Sequence, residues 1–230
     1  MHGQMIEFRA NGRMTPGYLN ASAGRGPGLV VIQEWWGLVN HIKQLADRFA
    51  AEGFVTLAPD LYRGKQTRSP DEAGKLLMAL NIAEAGKDIH GAAEYLLALP
   101  EVEPKRVGVI GFCMGGQLAL YAAQEFPDVL AAAVDFYGIH PKAAIEPAKL
   151  QVPVLAHFGR KDPSVKEADA RALAERYAAA GKSFEAHFYD AGHAFFNDTR
   201  PEAYDAPSAD LAWQRTLEFL RAHLSGTTPT

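Results

Sequence analysis

The residues that could do chemistry in this chain stand at the ends of apolar, β-branched runs. Gly111-Phe112-Cys113-Met114-Gly115-Gly116 follows the run Arg106–Ile110 and precedes a small-residue helical pattern. Glycines two positions before and two after a nucleophilic residue mark a sharp strand-to-helix turn that lifts the nucleophile into the open. Side chains at those glycine positions would collide in such a turn, and the residue between them takes a strained backbone conformation. The turn sets the Cys113 sulfur at a helix N-terminus, where the positive end of the helix dipole favours a thiolate. A lone cysteine is commonly a small buried hydrophobe. At this position of this pattern it reads as a nucleophile.

A nucleophile needs a base, and the base needs an orienting group. The run Val154–Gly159 closes on Gly159-Arg160-Lys161-Asp162-Pro163, which puts a carboxylate just past a strand. The run Phe184–Tyr189 closes on Asp190-Ala191-Gly192-His193, which does the same for an imidazole. The order Cys113, Asp162, His193 is the order in which this kind of turn is followed by its acid and its base. Asp135, at the end of Leu130–Phe136, and Asp190 are alternative acids. The tetrahedral oxyanion of acyl transfer needs two backbone N–H donors. Met114 supplies one. Trp35, in Gln33-Glu34-Trp35-Trp36-Gly37 after the run Gly28–Gln33, is expected to supply the other. Glu34 reads either as a helix-start or surface carboxylate, or as a partner for the resting thiol or a proton relay. Trp35, Trp36, Tyr62, Tyr137, Phe195 and Phe196 suggest an aromatic pocket, although core packing accounts for about half of them.

Such residues need rigid elements to hold them. Met5–Arg9 and Arg13–Asn20, joined through Ala10-Asn11-Gly12, predict an antiparallel hairpin on a sheet edge. Strands are expected at Gly28–Gln33, Phe54–Ala58, Arg106–Gly111, Leu130–Phe136, Val154–Gly159 and Phe184–Tyr189. Helices are expected at Val39–Glu52, Asp71–Leu80, Ile82–Leu99, Gly115–Phe126, Lys166–Ala180 and Ala209–Leu224. Loops fall at Ala21–Gly28, Arg63–Asp71, Pro141–Pro153 and Tyr204–Ser208. Strand-then-helix repetition means a mostly parallel central sheet flanked by helices on both faces. Ligands of such sheets bind beyond the carboxyl ends of the strands, where the chemical residues above are found.

The 230 residues suit one large α/β domain spanning 1–230. Apolar residues make up 48% and charged residues 22%, the mix of a soluble globular protein. A net charge of −4 gives no basic footprint for nucleic acid or an anionic membrane. No stretch is long and apolar enough to span a bilayer, and none reads as a secretory leader. One cysteine excludes an internal disulfide and fits the reducing cytoplasm. The eight histidines show no paired ligand spacing, so no metal and no cofactor is expected. Nothing in the sequence specifies an oligomeric state.

These motifs resemble the dienelactone hydrolase (carboxymethylenebutenolidase) family of the α/β-hydrolase fold. The carrying residues are Gln33-Glu34-Trp35-Trp36-Gly37, Ala58-Pro59-Asp60-Leu61-Tyr62, the Cys113 turn, Gly159-Arg160-Lys161-Asp162 and Ala191-Gly192-His193. The resemblance implies a Cys113-His193-Asp162 triad. It also implies that Glu34 contacts the thiol at rest and is released by substrate. Family members acting on dienelactones hold the substrate carboxylate with arginines. One of these arginines lies a few residues after the histidine, where this chain has His193-Ala194-Phe195-Phe196-Asn197. Another, with a tyrosine, lies in the helix Pro70–Leu80, which here carries neither. Arg63, Lys65, Arg68 and Arg160 are candidate substitutes. The expectation is a hydrolase of small ester or lactone substrates, of the dienelactone type, with Trp36, Tyr62, Tyr137, Phe195 and Asn197 around the substrate. A broad carboxylesterase or thioesterase on neutral or aromatic substrates is the alternative. From a different class, the fold serves as a non-catalytic ligand receptor or a thiol redox sensor. A receptor usually lacks a triad member, and a sensor needs a second thiol.

Overall fold

The computed structural model describes residues 2–22 and 24–226. Met1, Ala23 and residues 227–230, which a domain of 1–230 includes, lie outside the described residues. The chain opens with the expected hairpin, β1 (Gln4–Ala10) against β2 (Arg13–Asn20), closed at Ala10 and Arg13. Asn11 and Gly12 turn it with φ of 50° and 73°. Both values lie in the left-handed region, which Gly enters freely and Asn more readily than other side chains.

Then follow β3 (Gly26–Ile32), α1 (Asn40–Ala51), β4 (Val55–Pro59), α2 (Pro70–Ala79), α3 (Ile82–Ala98), β5 (Val102–Phe112) and α4 (Met114–Glu125). The rest is β6 (Ala132–Phe136), β7 (Val154–Gly159), α5 (Glu167–Ala179), β8 (Phe184–Tyr189) and α6 (Ala206–Leu224). The eight strands form one sheet in the order β1-β2-β4-β3-β5-β6-β7-β8. From β4 to β8 the neighbours are parallel, and the hairpin joins β4 antiparallel as an edge. No helix among the described residues is long and apolar enough to cross a membrane.

Along β3 successive side chains feed opposite cores, as the period of two demands. Val30 and Ile32 pack beneath α3 and α4, while Leu29 and Val31 pack beneath α1 and α6. Helix α1 buries Ile42, Leu45, Ala46 and Phe49, the stripe read from the sequence. Two boundaries differ by three residues or more. Strand β5 begins at Val102, four residues before the apolar run, because Val102 pairs with Gly26 across Pro104. Helix α6 begins at Ala206, because the Asp205 side chain accepts the Ser208 N–H and caps a start that reads as loop.

Strand β3 lies between β4 and β5. The chain therefore leaves β3 in one direction to form β4 and crosses back to form β5, which opens a crevice at their carboxyl ends. Gln33 and Cys113 are the residues that leave those two ends.

Candidate active site

Cys113 is the single residue between β5 and α4, with φ 54° and ψ −118°. Its conformation is held from four sides. Its N–H donates to the Phe136 carbonyl at 2.9 Å, and its carbonyl accepts from Gly116, Gln117 and Ile139. The flanking glycines are required by contact. A methyl group on Gly111 would lie 1.9 Å from the Gly115 oxygen, and one on Gly115 would lie 2.5 Å from the Gln33 oxygen. Strain of this kind persists only where the surroundings over-determine it.

Three strand ends converge on the sulfur. Asp162, three residues past β7, has a fully buried side chain. Its Oδ1 accepts the N–H groups of Ser164 and Val165 at 2.7 and 2.9 Å. His193, past β8, donates from Nδ1 to Asp162 Oδ2 at 2.6 Å. The same imidazole lines one cavity with Cys113. Burial pulls the His193 pKa down, but the bonds and charges of Asp162 and Cys113 more than offset this and push it up to about 10. The imidazolium form is thus favoured at neutral pH beside the sulfur. Of the alternative acids, Asp190 is exposed and pairs with Lys161 at 2.9 Å. Asp135 is fully buried at the end of β6, and neither of its oxygens makes a regular hydrogen bond.

Around the sulfur lies a cavity of about 230 Å³, lined by Glu34, Trp35, Trp36, Leu77, Ile139, Pro141, Ser164, His193, Ala194 and Arg200 as well as Cys113. Such a volume falls below the usual range for drug-sized ligands, about 300–1,000 Å³, and suits a small substrate. Glu34 is 2% exposed, and its Oε2 accepts from Asn197 Nδ2 at 3.0 Å while Oε1 has no partner. Burial raises its pKa, against the opposing influence of His193, Arg200 and Asn197. The hydrogen bond between Glu34 and the thiol implied by the resemblance is not formed here: Asn197 holds Oε2, and Oε1 has no partner. Met114 begins α4, so its N–H has no acceptor within the helix. Trp35, on the loop after β3, lines the same cavity.

Of the residues expected around the substrate, Trp36 lines the cavity, and Tyr62, Tyr137, Phe195 and Asn197 do not. Tyr62 is buried with its hydroxyl against the Met114 sulfur at 3.1 Å. Phe195 is fully buried against Phe136, Tyr137 and Tyr189, so aromatic packing claims it. Tyr137, with φ 43°, packs its ring 5.1 Å from that of His193. Asn197 holds Glu34 and turns back on Thr199.

That turn reveals a residue the sequence reading missed. Asn197 Oδ1 accepts both the Thr199 N–H and its hydroxyl, and this folds the segment so that Arg200 returns to the cavity. The Arg200 guanidinium lies 5.8 Å from the Trp36 ring and donates to Glu202. Asn-Asp-Thr was the available signal, since Asn side chains cap their own backbone two residues on. The candidate substitutes do not line the cavity. Arg63 pairs with Asp88 at 2.7 Å and Arg160 lies 3.7 Å from Glu167.

The pattern of the dienelactone hydrolase family matches residues 15–224 of this chain. The chain belongs to the dienelactone hydrolase family. It is therefore an α/β hydrolase of the carboxylic ester-cleaving type, as the sequence motifs implied. Protein usf of Aquifex pyrophilus is 37% identical over 97% of this chain and 100% of its own. Carboxymethylenebutenolidase 1 of Cupriavidus pinatubonensis is 31% identical over 95% of each. Among solved structures, a dienelactone hydrolase-like promiscuous phosphotriesterase from metagenomic libraries superposes with a TM-score of 0.84. It is 25% identical, over 96% of this chain and 98% of that one. Arg200, seven residues after His193, brings a guanidinium to this cavity.

Proposed function

We propose that this chain hydrolyses a small ester or lactone through a Cys113 acyl-enzyme, with His193 as base and Asp162 orienting it. The observation that supports the reading is that Cys113 and His193 line one cavity while His193 donates from Nδ1 to the buried Asp162 carboxylate at 2.6 Å. The Cys113 thiolate attacks the carbonyl carbon, and the oxyanion is held by the Met114 and Trp35 N–H groups. His193 gives its proton to the leaving alkoxide, which for a lactone stays attached as the new hydroxyl. It then takes a proton from water, which attacks the thioester and frees the acid and the thiol. Glu34, beside this route, is a second proton acceptor whose charge the resting cavity opposes.

The size of the cavity supports a small-molecule substrate over a peptide. No nucleic acid or membrane partner is part of this reading, nor is a metal or cofactor. The reducing cytoplasm suits a lone catalytic thiol. Cys113→Ala should abolish hydrolysis of para-nitrophenyl acetate. Retained turnover in that variant would reject the nucleophile.

A further inference from the structure

The cavity is lined by residues of two kinds. Glu34, His193 and Arg200 are polar. Leu77 from α2 and Ile139 and Pro141 from the loop after β6 are apolar.

These apolar residues are tied into one piece. Helix α2 buries Ala73 and packs Leu76, Leu77 and Leu80 against the core. Its C-terminal carbonyls are held by the loop. His140 Nε2–H donates to the Leu77 carbonyl at 3.2 Å, and Lys142 Nζ donates to the Met78 carbonyl. The Lys142 N–H donates to His140 Nδ1 at 3.1 Å, which fixes the neutral imidazole with its proton on Nε2. The loop in turn is tied to the nucleophile, since the Ile139 N–H donates to the Cys113 carbonyl at 3.1 Å. A chain of backbone and side-chain bonds thus fixes Leu77 relative to the sulfur.

We propose that Leu77, with Ile139 and Pro141, is the specificity wall of this hydrolase and selects an ester or lactone bearing an apolar group next to the scissile bond. His140 is its positioning residue. The inference rests on the hydrolase reading above and adds the class of substrate. An alkyl or aryl group of a few carbons would cover Leu77 and exclude water from the acyl-enzyme. Each methylene added to a group in an apolar pocket changes discrimination by about tenfold or more.

The test uses the full chain and two independent series. In the first, kcat/KM is measured for para-nitrophenyl esters from acetate to hexanoate, and for aryl acetates with lengthening alkyl substituents. Wild type should favour the longer member of at least one series. Leu77→Ala should reduce that preference about tenfold, Leu77→Met should retain it, and His140→Ala should lower it mainly through KM. In the second series, Cys113 is alkylated by N-alkylmaleimides of short and long chain, which requires no hydrolysis. The wild-type preference for the long chain should fall in Leu77→Ala. Loss of ester turnover with this alkylation preference intact would sink the hydrolase reading and leave the wall standing. Turnover with no chain-length preference in either series, or a preference untouched by Leu77→Ala, would overturn the wall.

Discussion

Asp135 offers the sharpest test of the electrostatics beneath the nucleophile. Its side chain is wedged against the first turn of α4, so that a methyl on Gly116 would lie 2.2 Å from its Oδ1. Burial lifts its pKa from 3.8 to about 7, and the Gly138 N–H and the His193 charge offset only part of that rise. The folded protein therefore holds a proton that the unfolded chain has released. This contribution to stability is complete below 3.8 and is lost as pH rises through about 7. Between pH 5 and pH 8 the loss is about 3 kcal/mol, from the two pKa values and about 1.4 kcal/mol per unit. Asn has nearly the same shape and never ionises, so Asp135→Asn should remove this part of the pH dependence. Urea unfolding at the two pH values reads it directly. With a slope of about 2–3 kcal/mol per molar, the wild-type midpoint should drop about 1 M more than that of the variant. Other titrating groups are common to both proteins and cancel in the comparison. Equal pH dependence in the two would mean that Asp135 is solvated or ionised, and the argument from burial would fail.

Three further outcomes follow from the site. Asp162→Asn should lower kcat on an activated ester about 10³–10⁴-fold by freeing the wrong imidazole tautomer, whereas Asp135→Asn should not; the reverse ranking in steady-state assays would move the acid. His193→Ala should slow alkylation of Cys113 by iodoacetamide at neutral pH about tenfold or more, because the imidazolium that favours the thiolate is gone. An unchanged alkylation rate in the variant would refute that assistance. Arg200→Gln should reduce kcat/KM for carboxylate-bearing esters about tenfold while sparing neutral ones; equal effects on both would deny the guanidinium a recognition role.

The sequence by itself determined most of what is local. Strand and helix periods gave the alternation of elements, the Asn-Gly turn gave the hairpin, and Gly111 and Gly115 flanking Cys113 gave the strained turn. Glycine spacing there records a steric demand within six residues, so it is legible without knowing the fold. The order Cys113, Asp162, His193 was readable for a similar reason, because each stands just past an apolar run and a parallel sheet brings such ends together. Tertiary structure alone decided which acid meets the imidazole, since Asp135 and Asp162 both end strands. One has its lone pairs filled by Ser164, Val165 and His193, while the other is sealed against α4. It also decided which aromatics face the substrate. Phe195 and Trp36 are alike in composition terms, yet packing on Tyr189 and Phe136 takes the first into the core. Arg200 and Leu77 line the cavity through a side-chain-capped turn and a helix held by His140. Contacts between segments far apart in the chain have no periodicity and no spacing, and only the folded chain brings them together.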